Sequence, residues 1–171
     1  MGQPVSETFE EDINQYLTFI LDDEYYAVSV SFVKEVLELG EVTKVPKTPD
    51  FFYGVLNLRG SVVPIIDLRL KFGLAPIVPT IDTCIVVLEV VVAGENTVIG
   101  ALTDSVHEVI ELDSDDLHPA PRVSARINYD FISSMAKFDE KFLMLLDINK
   151  IFTQQELGVI RDAEQENSIA E

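Results

Sequence analysis

Catalysis or metal binding would have to begin with two histidines, His107 and His118, and neither reads as part of a ligand set. The single cysteine, Cys84, lies in the apolar run Cys84-Ile85-Val86-Val87-Leu88. It reads as a buried strand residue and cannot form an internal disulfide. No serine stands in a Gly-x-Ser-x-Gly context, and the glycines are scattered as single turn formers rather than gathered into a phosphate-binding loop. Carboxylates are abundant, 30 against 12 Lys and Arg, so close pairs arise without design. Lacking a positioned acid, base or metal, they are a weak signal for an enzyme. What stands out is a turn, Asn57-Leu58-Arg59-Gly60, between apolar strands. Asn and Gly tolerate positive φ and can close a tight turn, with Arg59 at its tip. A guanidinium held there offers a planar fork of donors. Either a partner's carboxylate or carbonyl, or acceptors of its own subdomain, would take it. The chemistry expected is therefore binding, with no cofactor and no metal.

The elements that must position this turn are mostly strands. Of the 171 residues 47% are hydrophobic, enough for a packed core. The net charge of −18 repels phosphate backbones and anionic membranes, so no nucleic acid is expected as a partner. No apolar run reaches the roughly 20 residues of a membrane helix, and the start does not resemble a signal peptide. The expected setting is the cytoplasm. Residues 1–12 read as a loose acidic leader and 164–171 as a frayed acidic tail, around one domain over 13–160. Strands are predicted at Tyr16–Leu21, Tyr25–Val28, Val36–Leu39, Val62–Ile66, Cys84–Val92, Val106–Leu112 and Phe142–Leu146. Val91–Ile99 reads as a second hairpin. Thr153-Gln154-Gln155-Glu156 has the form of a capping box, opening a short helix over about 153–163.

The chain also repeats itself. Val33-Lys34-Glu35-Val36-Leu37-Glu38-Leu39 matches Val106-His107-Glu108-Val109-Ile110-Glu111-Leu112 at an offset of 73 residues. The turn Asp22-Asp23 falls on Glu95-Asn96, and Pro46 on Pro119, at that offset. Pro64-Ile65-Ile66-Asp67-Leu68 resembles Met144-Leu145-Leu146-Asp147-Ile148 at an offset of 80, and an insertion of 7 residues within 120–140 reconciles the two. A duplication follows, with one unit near 16–72 and another near 89–152. Two short all-β units suggest paired small barrels, since closure removes exposed strand edges. A crevice between them would be a natural docking site.

The stretch from Gly54 to Phe72, with Asn-Leu-Arg-Gly, then Val-x-Pro, then Asp-Leu-Arg and a closing Phe, resembles the signature of the CheW family. Leu17 to Leu39 is similar to that family's opening hairpin and its Val-x-Glu-Val strand. Gly100 to Val109 is similar to Gly-x-x-x-Asp-x-Val-x-x-Val of its second subdomain, and Pro119-Ala120-Pro121 also fits. The resemblance covers about 14–165. One departure is Thr103, where an aliphatic residue is usual. The resemblance implies a mainly β fold: two intertwined five-stranded SH3-like barrels, with subdomains at about 16–80 and 81–146 and a short C-terminal helix. It implies a non-catalytic adaptor, monomeric in isolation and cytoplasmic beside membrane-bound receptor arrays. Its partners would be the regulatory domain of the CheA histidine kinase and the cytoplasmic tip of chemoreceptors. By matching position, the receptor would meet Val33, Glu35, Val36, Gly54, Asn57 and Arg59, lining the crevice between subdomains. The kinase would meet Leu39, Val42, Val45 and Val123. The alternative is a CheW-like regulatory domain of a larger kinase or of a CheV-type protein.

Overall fold

Turn chemistry sets the hairpins. Three of them close on two-residue loops in which both residues take positive φ: Asp22-Asp23 (52° and 64°), Arg59-Gly60 (51° and 86°) and Asp139-Glu140 (51° and 68°). Loops of this kind follow the right-handed twist of the strands they join. The computed structural model describes residues 14–92, 94–120, 131–153 and 155–162. The strands are β1 (Gln15–Leu21), β2 (Glu24–Ser29), β3 (Val33–Glu38), β4 (Phe52–Leu58) and β5 (Ser61–Asp67). One turn of helix, α1 (Leu68–Lys71), precedes β6 (Cys84–Val92), β7 (Glu95–Thr103) and β8 (Ser105–Glu111). The set ends with β9 (Leu117–Pro119), β10 (Ile132–Phe138) and β11 (Lys141–Leu146), and a C-terminal helix over 155–162.

The strands form two sheets, ordered β8-β1-β2-β11-β10-β9 and β3-β6-β7-β5-β4. Each sheet takes its leading hairpin from the other half of the chain, so the barrels are intertwined. The pairing registers carry the duplication. Ile65 pairs in parallel with Gly100, and Leu145 with Ala27; these pairs interconvert through the offsets of 80 and 73. The antiparallel pair Val36–Val86 answers Val109–Leu17, and Val33–Leu88 answers Val106–Phe19, each with a bulge between.

Three details differ from expectation. Glu95 and Asn96 are not a turn: they pair with Val92 and Val91 inside the second hairpin. That hairpin is longer, since β6 and β7 have nine residues each against seven and six in β1 and β2. The sheets hold six and five strands rather than five each. The counterpart of β9 is an isolated bridge, Thr43 to Val55. Strand β10 (ISSMAKF) escaped the sequence reading because its serines break the apolar alternation. The leader, the tail and Val123 lie outside the described residues.

Among the described residues, three apolar clusters form the core. One, with Val63, Ile65, Ile85, Val87 and Leu102, is the core of the first barrel. Its counterpart in the second barrel contains Ala27, Ile110, Ala136, Leu143 and Leu145. In both, the outermost strands reach the same cluster, as a curled sheet requires. A larger central core joins the barrels and receives Leu157 and Ile160 from the C-terminal helix. The predicted capping box holds: Thr153 Oγ1 accepts from the Glu156 N–H at 3.1 Å, and a Glu156 carboxylate oxygen accepts from the Thr153 N–H at 2.8 Å. Burial would raise the Glu156 pKa, but its hydrogen bonds from Lys71 and Thr153 outweigh this and lower it. Thr103 is buried, and its hydroxyl donates to the Cys84 carbonyl at 3.2 Å, which explains how a polar residue stands there.

Asp67 ends β5 and is 2% exposed. Its carboxylate accepts from the N–H groups of Arg69 and Ile77, both at 3.0 Å, capping α1 and pinning the loop that leads to β6. Asp147 caps the matching turn through Asn149. Removing a buried acceptor strands its donors. Asp67→Ala is therefore expected to lower the unfolding free energy by about 3 kcal/mol, read as a shifted urea midpoint.

Candidate functional site

The Asn57–Gly60 turn is built by its side chains. Asn57 Oδ1 accepts from the Gly60 N–H at 3.0 Å, and Leu58 pairs with Ser61. The positive-φ positions are Arg59 and Gly60, not Asn57; Asn57 contributes a side-chain acceptor instead. A non-glycine residue in this region costs about 1 kcal/mol, and here it aims the guanidinium back across the barrel. Arg59 donates through both terminal nitrogens to the two Glu35 carboxylate oxygens, at 2.7 and 2.9 Å. Of the two readings of the fork, the described contact is with its own chain. The Arg59 side chain nevertheless remains 71% exposed, against 27% for Glu35.

Each member of the pair favours the other's charged form. The Arg59 hydrogen bond holds Glu35 below the ordinary glutamate range, and Glu35 raises the Arg59 pKa. Because the folded pKa of Glu35 is depressed, the pairing is complete at neutral pH and is lost only as pH falls through that depressed value. Carboxyl-carbon NMR should find the Glu35 midpoint below that of an ordinary glutamate. In Arg59→Ala it should move upward.

The pair stands at the mouth of the first barrel, on the rim of a cleft of about 540 Å³. Val63 and Val87, both buried, line its depth, and Leu58, Ser61 and Val98 form its sides. Its rim is of mixed charge: Lys34, Arg59 and Arg161 stand there with Glu35 and Glu95, and Lys34 is itself paired with Glu89 at 3.7 Å. Arg161 arrives from the C-terminal helix and pairs with Glu95 on β7.

The cleft gathers only part of the expected receptor set. Glu35 and Arg59 line it. Val33 is half-buried against the central core, and Val36 points outward on the same strand, 40% exposed. Asn57 acts through the turn. Gly54 is buried against its own chain: a Cβ there would lie 2.5 Å from the Thr43 carbonyl oxygen and 2.6 Å from Val42 Cγ1. Its close approach is thus to the Val42–Thr43 segment. Of the residues expected to meet a kinase, Leu39 and Val42 lean on the first barrel's core and Val45 on the central core. Ser61, Val98 and Arg161 were missed by sequence reasoning. The amphipathic pattern around Leu157 and Ile160 was the only signal that could have placed Arg161.

Fold and cleft together define a class: a duplicated, intertwined double-barrel protein with a cleft of mixed charge at one barrel mouth. The family model described as CheW-like domain matches residues 15–156. A chemotaxis protein CheW of Klebsiella aerogenes is 33% identical over 157 residues, covering 91% of this chain and 92% of the relative. One of Helicobacter pylori is 32% identical, covering 82% of each. The crystal structure of a scaffolding protein, TtCheW of Thermoanaerobacter tengcongensis, superposes with a TM-score of 0.73 at 32% identity, over 84% of this chain and 90% of that one. The chain belongs to the CheW family.

Proposed function

We propose that this protein is a chemotaxis adaptor that couples the cytoplasmic tips of chemoreceptors to the CheA histidine kinase by binding both and transforming neither. The observation that carries the reading is the exposed Arg59–Glu35 pair at the rim of an open cleft, within the stretch that resembles the family signature. A receptor tip is a helical hairpin, and the cleft suits one helix face: apolar depth for the stripe, charged rim for register. Val33, Val36, Gly54 and Asn57 stay in the proposed receptor set, with Gly54 and Asn57 acting through the local backbone. Leu39, Val42, Val45 and Val123 form the proposed kinase surface. Coupling requires that receptor and kinase be bound differently in the two signalling states. No described helix is long and apolar enough to cross a membrane, so association with receptor arrays would run through the receptors.

Co-sedimentation with receptor-bearing membranes, with and without the kinase regulatory domain, tests this. Binding to both is expected, and recovery of the protein in the supernatant in both cases would overturn it. A second reading has one observation in its favour. CheV3 of Helicobacter pylori is 26% identical over 135 residues, which cover 42% of its length. The same module therefore also serves as part of a larger chemotaxis protein.

A further inference from the structure

Among the described residues, most cations meet a carboxylate of their own chain: Lys34 with Glu89, Arg59 with Glu35, Arg69 with Asp104, Lys71 with Glu156 and Arg161 with Glu95. Lys44 and Lys47 do not. Both are exposed, and among the described residues neither side chain has an ion pair or a hydrogen bond. Glu41 and Asp50, the acids nearest to them in sequence, are exposed as well and leave them unpaired. Between those two acids the chain reads Val42-Thr43-Lys44-Val45-Pro46-Lys47-Thr48-Pro49, without a carboxylate, in a protein with 30 of them in 171 residues.

The backbone beneath the lysines is fixed. Thr43 exchanges hydrogen bonds with Val55 at 2.9 and 2.7 Å, the Thr48 hydroxyl donates to the Val45 carbonyl at 2.8 Å, and the Phe52 N–H donates to the Pro49 carbonyl at 3.0 Å. Pro46 and Lys47 form a turn, and Lys47 takes a φ of 61°. Where proline precedes a positive φ in a turn, glycine or asparagine is the residue free of strain. A lysine there costs stability, and no ion pair or hydrogen bond among the described residues offsets it. Strain of this kind, held on a pinned backbone, points to a role for the side chain outside the fold.

We infer that Lys44 and Lys47 are specificity residues of the proposed kinase surface: they meet carboxylates that the kinase regulatory domain presents around its contact with Val42 and Val45. This rests on the kinase reading above and adds the charge that the partner's surface must carry. Val42 and Val45 are only half-buried, so the segment offers apolar area beside two unpaired cations. A partner that covered this area without carboxylates would desolvate the lysines uncompensated. One that supplies them gains in register and in encounter rate. Two lysines do not offset a net charge of −18, so phosphate backbones and anionic membranes remain repelled. A folded domain can bring a few carboxylates to this spot alone.

Titration calorimetry with the soluble kinase regulatory domain tests this. K44E/K47E should bind about tenfold more weakly or worse, since two attractions become two repulsions. K47G removes charge and strain together. It should bind about threefold more weakly, with a thermal midpoint no lower than that of the unmodified protein, while K47R should bind as the unmodified protein does. The opposite split, a lower midpoint in K47G with unchanged affinity, would assign Lys47 to the fold and overturn the proposal. If the unmodified protein does not bind the domain at all, the kinase reading itself fails. If it binds, and K44E/K47E and K47G bind equally well, the lysine assignment is wrong and the kinase reading stands. If K44E/K47E loses only a self-association seen by analytical ultracentrifugation, the carboxylates belong to a second copy of the chain and the proposal is overturned. Should K44E/K47E not fold, K47G and K47R decide.

Discussion

Reversing a single charge, Arg59→Glu, is expected to weaken receptor co-sedimentation by about 10- to 100-fold while leaving the protein folded. That range comes from losing one charge-assisted hydrogen-bonding group, about 1.5–3 kcal/mol. A second acid would then stand beside Glu35, which now accepts both Arg59 hydrogen bonds. Like charges at that separation push the side chains apart and turn the rim from mixed to acidic. The fold should tolerate the change, because the duplicated turn already shows an acid in this role. Asp139 occupies the place of Arg59 with the same φ of 51°, followed by Glu140 at 68°. Unfolding free energies from urea titration should therefore differ by less than about 1 kcal/mol, as for surface sites away from buried networks. Unchanged sedimentation of a folded Arg59→Glu protein would remove Arg59 from the receptor surface.

The second large effect concerns Gly54. Gly54→Val is expected to lower stability by about 3 kcal/mol, or roughly 6–12 °C in thermal midpoint. A Cβ would press on the Thr43 carbonyl at 2.5 Å, and that neighbour is backbone with little room to yield. Thr43 and Val55 exchange backbone hydrogen bonds at 2.9 and 2.7 Å, so moving one breaks the bridge that closes the sheet edge. Val42 would be displaced with it, and Val42 belongs to the proposed kinase surface. Gly54→Val should therefore impair kinase binding along with stability. This differs from Gly60→Ala, where a Cβ meets nothing within 4 Å and only backbone strain opposes it. Equal midpoints for Gly54→Val and the unmodified protein by thermal denaturation would show that the Val42–Thr43 segment moves aside at no cost.

The two sites also show where sequence reading stops. A glycine at position 54 reads simply as a bend or a place of close approach. What approaches it is the Val42–Thr43 segment, which is brought there only when Thr43 bridges to Val55 in the formed sheet. Likewise the guanidinium of Arg59 had two plausible acceptors in the sequence. The choice of Glu35, 24 residues away, depends on β3 and the β4–β5 turn lying side by side at one barrel mouth.

Local rules did determine a good deal. Residues of the right kind close the hairpins, Thr153 and Glu156 cap their helix, and Asp67 and Asp147 start matching turns, because each depends on groups a few residues apart. The repeat was legible because the duplicated strands kept the same alternation of apolar and polar residues. Tertiary structure alone decided which hairpin joins which sheet, since pairing between β1 and β8 or β5 and β7 is set by registers that no local pattern encodes. It alone decided, too, that one mouth is open and the other filled. Ser61 and Lys141, or Val98 and Tyr25, are unremarkable strand residues until the curled sheet turns them toward a common space, where their volumes decide between a cleft and a plug.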